Sequence, residues 1–244
     1  MRGMRAGLDA LRVCVRVFVA ACGLAMGGVA VATAVSATEA SAQGTVAGRI
    51  SIQEKAGEKS SDFASTVVYL EPKSGAAKAN ETKAQMAING RNFAPRVRVV
   101  TVGSTVDYPN QDPFTHNVFS TTPGALFDLG AYGSGTSKSN KFAKAGAYPI
   151  YCNVHAKMTG YVVVVNTPWY AQASADGRWE MAKVPAGKYT LTVWHERASP
   201  VVSEIDVPPS GLTTLDTKLD ASGYKEVAHK DKVGKDYSTH GVVY

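Results

Sequence analysis

Residues 148–161 read YPIYCNVHAKMTGY, and the reading of this stretch decides the fold. Cys152, His155 and Met158 follow one another at intervals of three, between the apolar runs Tyr148–Tyr151 and Tyr161–Val165. Three donors on one C-x2-H-x2-M segment converge only if the segment wraps around a single point, with the flanking runs as the strands that hold it. Taken singly, each residue has a plainer reading: a buried cysteine is a small hydrophobe, a methionine packs, and a loop histidine faces water.

The other cysteines bear on this choice. The chain starts with Arg2, Arg5, Arg12 and Arg16, continues with an Ala/Val-rich stretch from Val17 to about Ala37, and reaches Ala40-Ser41-Ala42. This order is that of a secretory signal with an A-x-A cleavage site, which predicts residues 1–42 as a cleaved signal peptide and Gln43 as the mature start. A retained N-terminal anchor is the alternative, on length alone. A lipoprotein signal at Cys22 fits less well, because Arg16 leaves too few apolar residues before it. Cys14 and Cys22 leave with the signal, and Cys152 remains as a solitary thiol in an exported chain. There thiols normally pair, so this one needs burial or a metal bond. The full chain has a formal charge of +6. Without the four arginines and two acids of 1–42 it is +4, mildly basic and unlike a nucleic-acid binder.

A metal reading needs a ligand from elsewhere, and VDYPNQDPFTHNVFS (106–120) supplies His116 ahead of a strand-like run. One thiolate, two imidazoles and a thioether (Cys152, His116, His155, Met158) form the donor set that suits type 1 copper. Zinc fits less well, since structural zinc seldom takes a thioether. Asn117 is the expected supporting residue, tying the two ligand loops together near the sulfur.

The pattern elsewhere is that of short strands and turns. Strands are expected at Thr45–Ile52, Thr66–Leu70, Gln85–Ile88, Arg96–Val102, Thr105–Tyr108, Asn117–Ser120, Ala147–Tyr151 and Tyr161–Val165. A second β unit follows at Tyr170–Ser174, Arg178–Met181, Tyr189–His195, Val201–Val207 and Thr213–Leu219, with turns at Asp176-Gly177 and Pro185-Ala186-Gly187. The Lys/Asp-rich tail 221–244 is expected to be extended and draped over a domain, or partly disordered.

Two resemblances attach to these residues. YPNQDPFTHNVFS followed by YPIYCNVHAKM resembles the cupredoxins, the blue copper proteins, and the short C-x2-H-x2-M loop is most similar to that of amicyanin. This covers roughly residues 84–166 and implies a Greek-key sandwich with one copper on His116, Cys152, His155 and Met158. Relatives usually carry proline where this chain has Val154. ASADGRWEMAKVPAGKYTLTVWHE (173–196) resembles the carboxypeptidase regulatory-like, transthyretin-like sandwiches, whose early strands are matched by GTVAGRISI and STVVYL a hundred residues upstream. The expected fold is all-β, with the cupredoxin domain 84–166 inserted into a prealbumin-like sandwich made of 44–71 and 167–220; the alternative, with 44–71 packed on the copper domain, is two sequential sandwiches.

The resemblance implies a periplasmic one-electron carrier between a dehydrogenase and a c-type cytochrome. Electrons would pass at the His155 edge, among Pro113, Phe114 and Lys157, with Lys141 and Lys144 also steering an acidic partner. Of the five histidines, His195, His229 and His240 remain for any further copper, and none forms an H-x-H pair. No G-x-S-x-G or H-E-x-x-H occurs, and no enzyme is expected. Trp194, His195 and Glu196 read as structural residues at a strand end. The other functional readings are a copper carrier or store, and an adhesion or assembly module.

Overall fold

Strand after strand, side chains alternate between covered and exposed, and the covered ones assemble into layers. The computed structural model describes residues 43–237, and among these the chain is all-β apart from one 3-10 turn at Phe63–Ser65. The expected signal segment 1–42, with Cys14 and Cys22, lies outside the described residues, as does 238–244 with His240. Two strands come first, β1 (Gln43–Gln53) and β2 (Val67–Pro72). Ten form the middle: β3 (Lys83–Gln85), β4 (Ala87–Asn89), β5 (Asn92–Ala94), β6 (Val97–Thr101), β7 (Thr105–Pro109), β8 (His116–Ser120), β9 (Phe127–Tyr132), β10 (Ser137–Lys141), β11 (Gly146–Tyr151) and β12 (Thr159–Val165). Five more follow: β13 (Tyr170–Gln172), β14 (Arg178–Pro185), β15 (Gly187–His195), β16 (Ala198–Val207) and β17 (Leu212–Asp220).

The middle strands make one sandwich. A five-stranded sheet, β6-β12-β11-β8-β9, faces β10-β7-β3, with the β4-β5 hairpin beside it. The connections β7–β8, β9–β10 and β10–β11 cross between the sheets, which is the Greek-key pattern. Met86, Ile88, Tyr108, Val118, Phe142, Ile150 and Val162 fill the core between them, and Cys152 and Met158 sit in that same core.

The first two strands belong with the last five. β1 lies between β14 and β17, antiparallel to the first and parallel to the second. β2 lies between β13 and β15, and this four-stranded sheet ends at β16. Val46, Ile50, Leu70, Trp179, Leu191 and Leu219 fill the space between the two sheets. Gly48 is required by the closeness of β1 to its neighbours: a Cβ there would meet the Leu215 carbonyl oxygen at 1.8 Å and the Trp179 ring at 2.8 Å. Gly177, at φ +83, turns the chain into β14 as the Asp-Gly turn requires.

The two sandwiches share a third core. Val97, Val163 and Val165, on the outer face of the five-stranded sheet, pack with Val67, and Tyr69, Tyr161, Tyr170 and Trp194 close around them. The unbroken run Val162–Val165 is thereby explained, because alternate residues serve two different cores. Arg96 pairs across this boundary with Glu196, whose side chain is almost wholly covered. His195, buried, accepts the Arg197 backbone N–H at 3.1 Å and approaches the Asp62 carbonyl at 3.3 Å, so it has a structural place.

Three strands differ from the sequence-based expectation by being additional: β5, β9 and β10. The run Gln85–Ile88 is split, since the chain leaves β7 after Gln85 and pairs with β5 from Ala87 onward. Residues 221–237 form no strand; Ala221 still packs in the second core, and His229 lies over Phe119 and Tyr151 of the five-stranded sheet.

Candidate metal centre

β8 and β11 are neighbours in the five-stranded sheet, with Tyr151 opposite Phe119. His116 opens β8 and Cys152 directly follows β11, so both reach the core at the same end of the sandwich. The loop after Cys152 turns back at once: Met158 N–H donates to the His155 carbonyl at 3.0 Å, and Cys152 N–H to the Met158 carbonyl at 3.2 Å. This closed loop brings His155 beside the other two. Cys152 Sγ lies 3.6 Å from His116 Nδ1 and 3.6 Å from His155 Nδ1. All three donor atoms fall within 4.8 Å of one another. A triangle of this size has a centre about 2 Å from each corner, the length of a metal–nitrogen or metal–thiolate bond. Met158 is buried in the same core, on the loop that carries two of the three.

The donor chemistry fits a copper ion. His116 and Cys152 have no solvent exposure, and His155 is half-buried. Burial holds both imidazoles below the ordinary histidine pKa, so both are neutral, with a free lone pair, at pH 7. Burial likewise pushes the Cys152 thiol up, against the N–H groups of Asn117, Val154 and His155, which favour the thiolate. A cation at the centre would replace the thiol proton and answer those three donors.

His116 is aimed from behind. Its Nε2 meets Asp112 Oδ2 at 2.7 Å, which leaves Nδ1 for the metal side. Burial raises the Asp112 pKa, but the N–H groups of Arg91 and Gly90, at 2.9 and 2.6 Å, and His116 together bring it below the ordinary carboxylate value. Asn110 fixes the segment that carries Asp112 and His116. Its side-chain oxygen accepts the Asp112 N–H, and its amide donates to the carbonyls of Phe114 and Tyr132.

Asn117 reaches the sulfur through its backbone N–H, and its side-chain amide donates to Asp128 at 2.7 Å. The side chains alternate across β8, so a strand that sends His116 inward must send Asn117 outward.

At the rim, the Phe114 ring lies 5.1 Å from that of His116 and 6.0 Å from that of His155, and the two imidazole rings are 4.8 Å apart. Pro113, next to Phe114 in the chain, and Lys157, two residues after His155, are exposed, and Lys157 lines a cavity with Tyr151 and His229. Lys141 and Lys144 are elsewhere. Lys141 pairs with Thr105 at the far end of β7 and forms an ion pair with Glu81, and Lys144 precedes β11 at that same far end. The positive charge near the site is instead Arg91, whose guanidinium sits 5.2 Å over the Phe114 ring. Asp112 and Arg91 were absent from the sequence-based site. Asp112 had one usable signal, a carboxylate four residues before a candidate ligand; Arg91 had none.

No family model matches the chain, and no curated protein does. Among solved structures, a novel purple cupredoxin from Nitrosopumilus maritimus is 29% identical over 34% of this chain and 99% of its own, with a TM-score of 0.32. A reduced, singly substituted amicyanin is 25% identical over 40% of this chain and 98% of its own, with a TM-score of 0.33. A Cu-containing nitrite reductase (NirK) from Thermus scotoductus SA-01 is 27% identical over 39% of this chain, with a TM-score of 0.33, and only 25% of the reductase is covered.

Proposed function

We propose that the protein is an exported one-electron carrier with a single type 1 copper held by His116, Cys152, His155 and Met158, and not an enzyme. The observation that carries this reading is the buried triangle of two imidazole nitrogens and one thiol sulfur, with sides of 3.6 Å from the sulfur. When bound, copper supplies the one-electron couple. The chain supplies the rest. Asp112 keeps His116 turned inward, the closed 152–158 loop sets the positions of Cys152 and His155, and the covering side chains exclude water. Rigid donors that move little between oxidation states keep the reorganisation cost of transfer low.

His155 is the half-exposed ligand, and its rim of Pro113, Phe114, Lys157 and Arg91 is the docking face in this reading. A guanidinium over an apolar rim suits a partner with an acidic rim around its redox group, such as a c-type cytochrome or a dehydrogenase. In this reading residues 84–166 are the copper domain, inserted into the second sandwich, and the N-terminal segment directs export to the periplasm.

The test is optical. Adding one equivalent of Cu(II) to the purified chain is expected to produce intense thiolate-to-copper absorption in the visible range, absent from Cys152→Ser. A colourless wild-type chain would sink the proposal. Stopped-flow mixing with a reduced c-type cytochrome then separates a carrier, which oxidises it rapidly, from a copper store.

A further inference from the structure

Four groups of the ligand loop are met by a segment that follows in sequence about 75 to 85 residues later. Tyr237 Oη donates to the Cys152 carbonyl at 3.0 Å. His229 Nε2 reaches the His155 carbonyl at 3.2 Å, and His229 N–H donates to the Ala156 carbonyl at 3.3 Å. Lys232 N–H donates to Asn153 Oδ1 at 2.8 Å. Its ammonium reaches Asp128 at 2.7 Å, on the carboxylate that also accepts the Asn117 amide. The tail thus bonds to residues 152, 153, 155 and 156, and to the partner of the residue beside His116.

The rings add packing to these bonds. His229 stacks on Tyr151 at 4.5 Å between centroids, with the planes 26° apart, and meets Phe119 at 6.0 Å and Tyr237 at 5.3 Å. A tight turn makes this geometry possible. Asp231 accepts the N–H groups of Val233 and Lys235 on its carboxylate, and Gly234 at φ +83 reverses the chain. His229 and Tyr237, on either side of that turn, are thereby brought back to the same loop. Three of the four bonds to the loop end on backbone carbonyls, so they fix the backbone that carries the ligands.

We infer that residues 229–237 are a strap that positions the ligand loop, with His229 and Tyr237 as positioning residues of the metal centre. The loop delivers Cys152, His155 and Met158 in seven residues, and its outward carbonyls would otherwise bond to water and let it shift with its metal. Bonded to the strap, the loop holds one arrangement whatever occupies the centre. The inference deepens the copper reading and rests on it for its spectroscopic half.

Full-length Tyr237→Phe and His229→Phe keep an aromatic ring in place while removing the Tyr237 bond to the Cys152 carbonyl and the two His229 ring contacts, to the His155 and Lys230 carbonyls. Two quantities decide: hydrogen exchange of the amides of residues 153–158 in the metal-free chain, and the visible spectrum and reduction potential after copper loading. Exchange is expected to quicken about three- to tenfold for each lost bond. The relative intensities of the thiolate bands and the potential are expected to move as well, with far-UV circular dichroism unchanged. Wild-type exchange rates in both variants would overturn the inference. Faster exchange with an unaltered spectrum and potential would also overturn it, because the tail would then only pack. A wild-type chain that takes up no copper refutes the copper reading instead, and the strap is then decided by the metal-free exchange rates.

Discussion

Asp112 carries more of the site than any residue outside the donor set. It accepts two backbone N–H groups from the β4-β5 turn and orients His116, so one carboxylate joins a hairpin to a ligand. Asp112→Asn keeps the shape but cannot serve both roles, and copper affinity is expected to fall about 10- to 100-fold by competition titration. Arg91→Glu acts at the rim, not on the site: the visible spectrum should stay as in the wild type, while the rate of electron exchange with an acidic partner falls and loses its salt dependence. Gly48→Ala probes a different link. A Cβ 1.8 Å from a backbone oxygen has no flexible neighbour to displace, and a loss of about 3 kcal/mol or more is expected in chemical unfolding. The donors were legible as residues because C-x2-H-x2-M is local and a solitary exported cysteine is anomalous. Arg91, His229 and Tyr237 were not, because nothing local marks a residue that touches the loop from far away in sequence.

Among elements, legibility followed burial. β1 and β15 announce themselves through large apolar residues at every second place, because one face of each meets a core, and β12 through its unbroken valine run, because both of its faces do. β10 (SKSNK) does not, since it holds no large apolar residue at all, and β9 (FDLGAY) only lays Phe127 and Leu129 on the edge of the core, with Tyr132 buried. β8 breaks the alternation in the other direction: all five residues are buried, with Val118 in the core and Phe119 under the tail. A further link joins the end of β1 to the β15–β16 turn, where Arg197 grips Glu54 through two bonds of 2.7 and 2.9 Å. The Arg197 hydrogen bonds hold the Glu54 carboxyl below the ordinary glutamate pKa. The folded chain therefore binds fewer protons than the unfolded one in that range, and the pair stabilises fully above the ordinary value. Its contribution fades as pH falls through the lowered one. Thermal melts from pH 7 to pH 3 should show a steeper acid loss for the wild type than for Glu54→Gln, the two converging at the acid end.

For the whole molecule, the shared valine core sets what can be separated. The middle strands form a complete sandwich with its own interior, yet their outer face carries Val97, Val163, Val165 and Tyr161 against the other sandwich. A fragment of residues 80–166 is expected to associate, seen as an early-eluting, dye-binding species. Val97→Thr, Val163→Thr and Val165→Thr together should return it to a monomer. A monomeric unmodified fragment would contradict the shared core. The division into two sandwiches was legible in the separated motifs GTVAGRISI and DGRWEMAKVPAGKY, but their common interface was not, since Val163 and Val165 read equally well as interior to one sheet. The parallel pairing of β1 with β17 has a consequence in time. As the chain emerges from its N-terminus, the middle sandwich can close once β12 is out, while β1 must wait for the last strand before it has both neighbours. The tail that holds the ligand loop arrives later still. In the proposed copper reading, the pocket of His116, Cys152 and His155 is therefore complete in sequence before the segment that latches it.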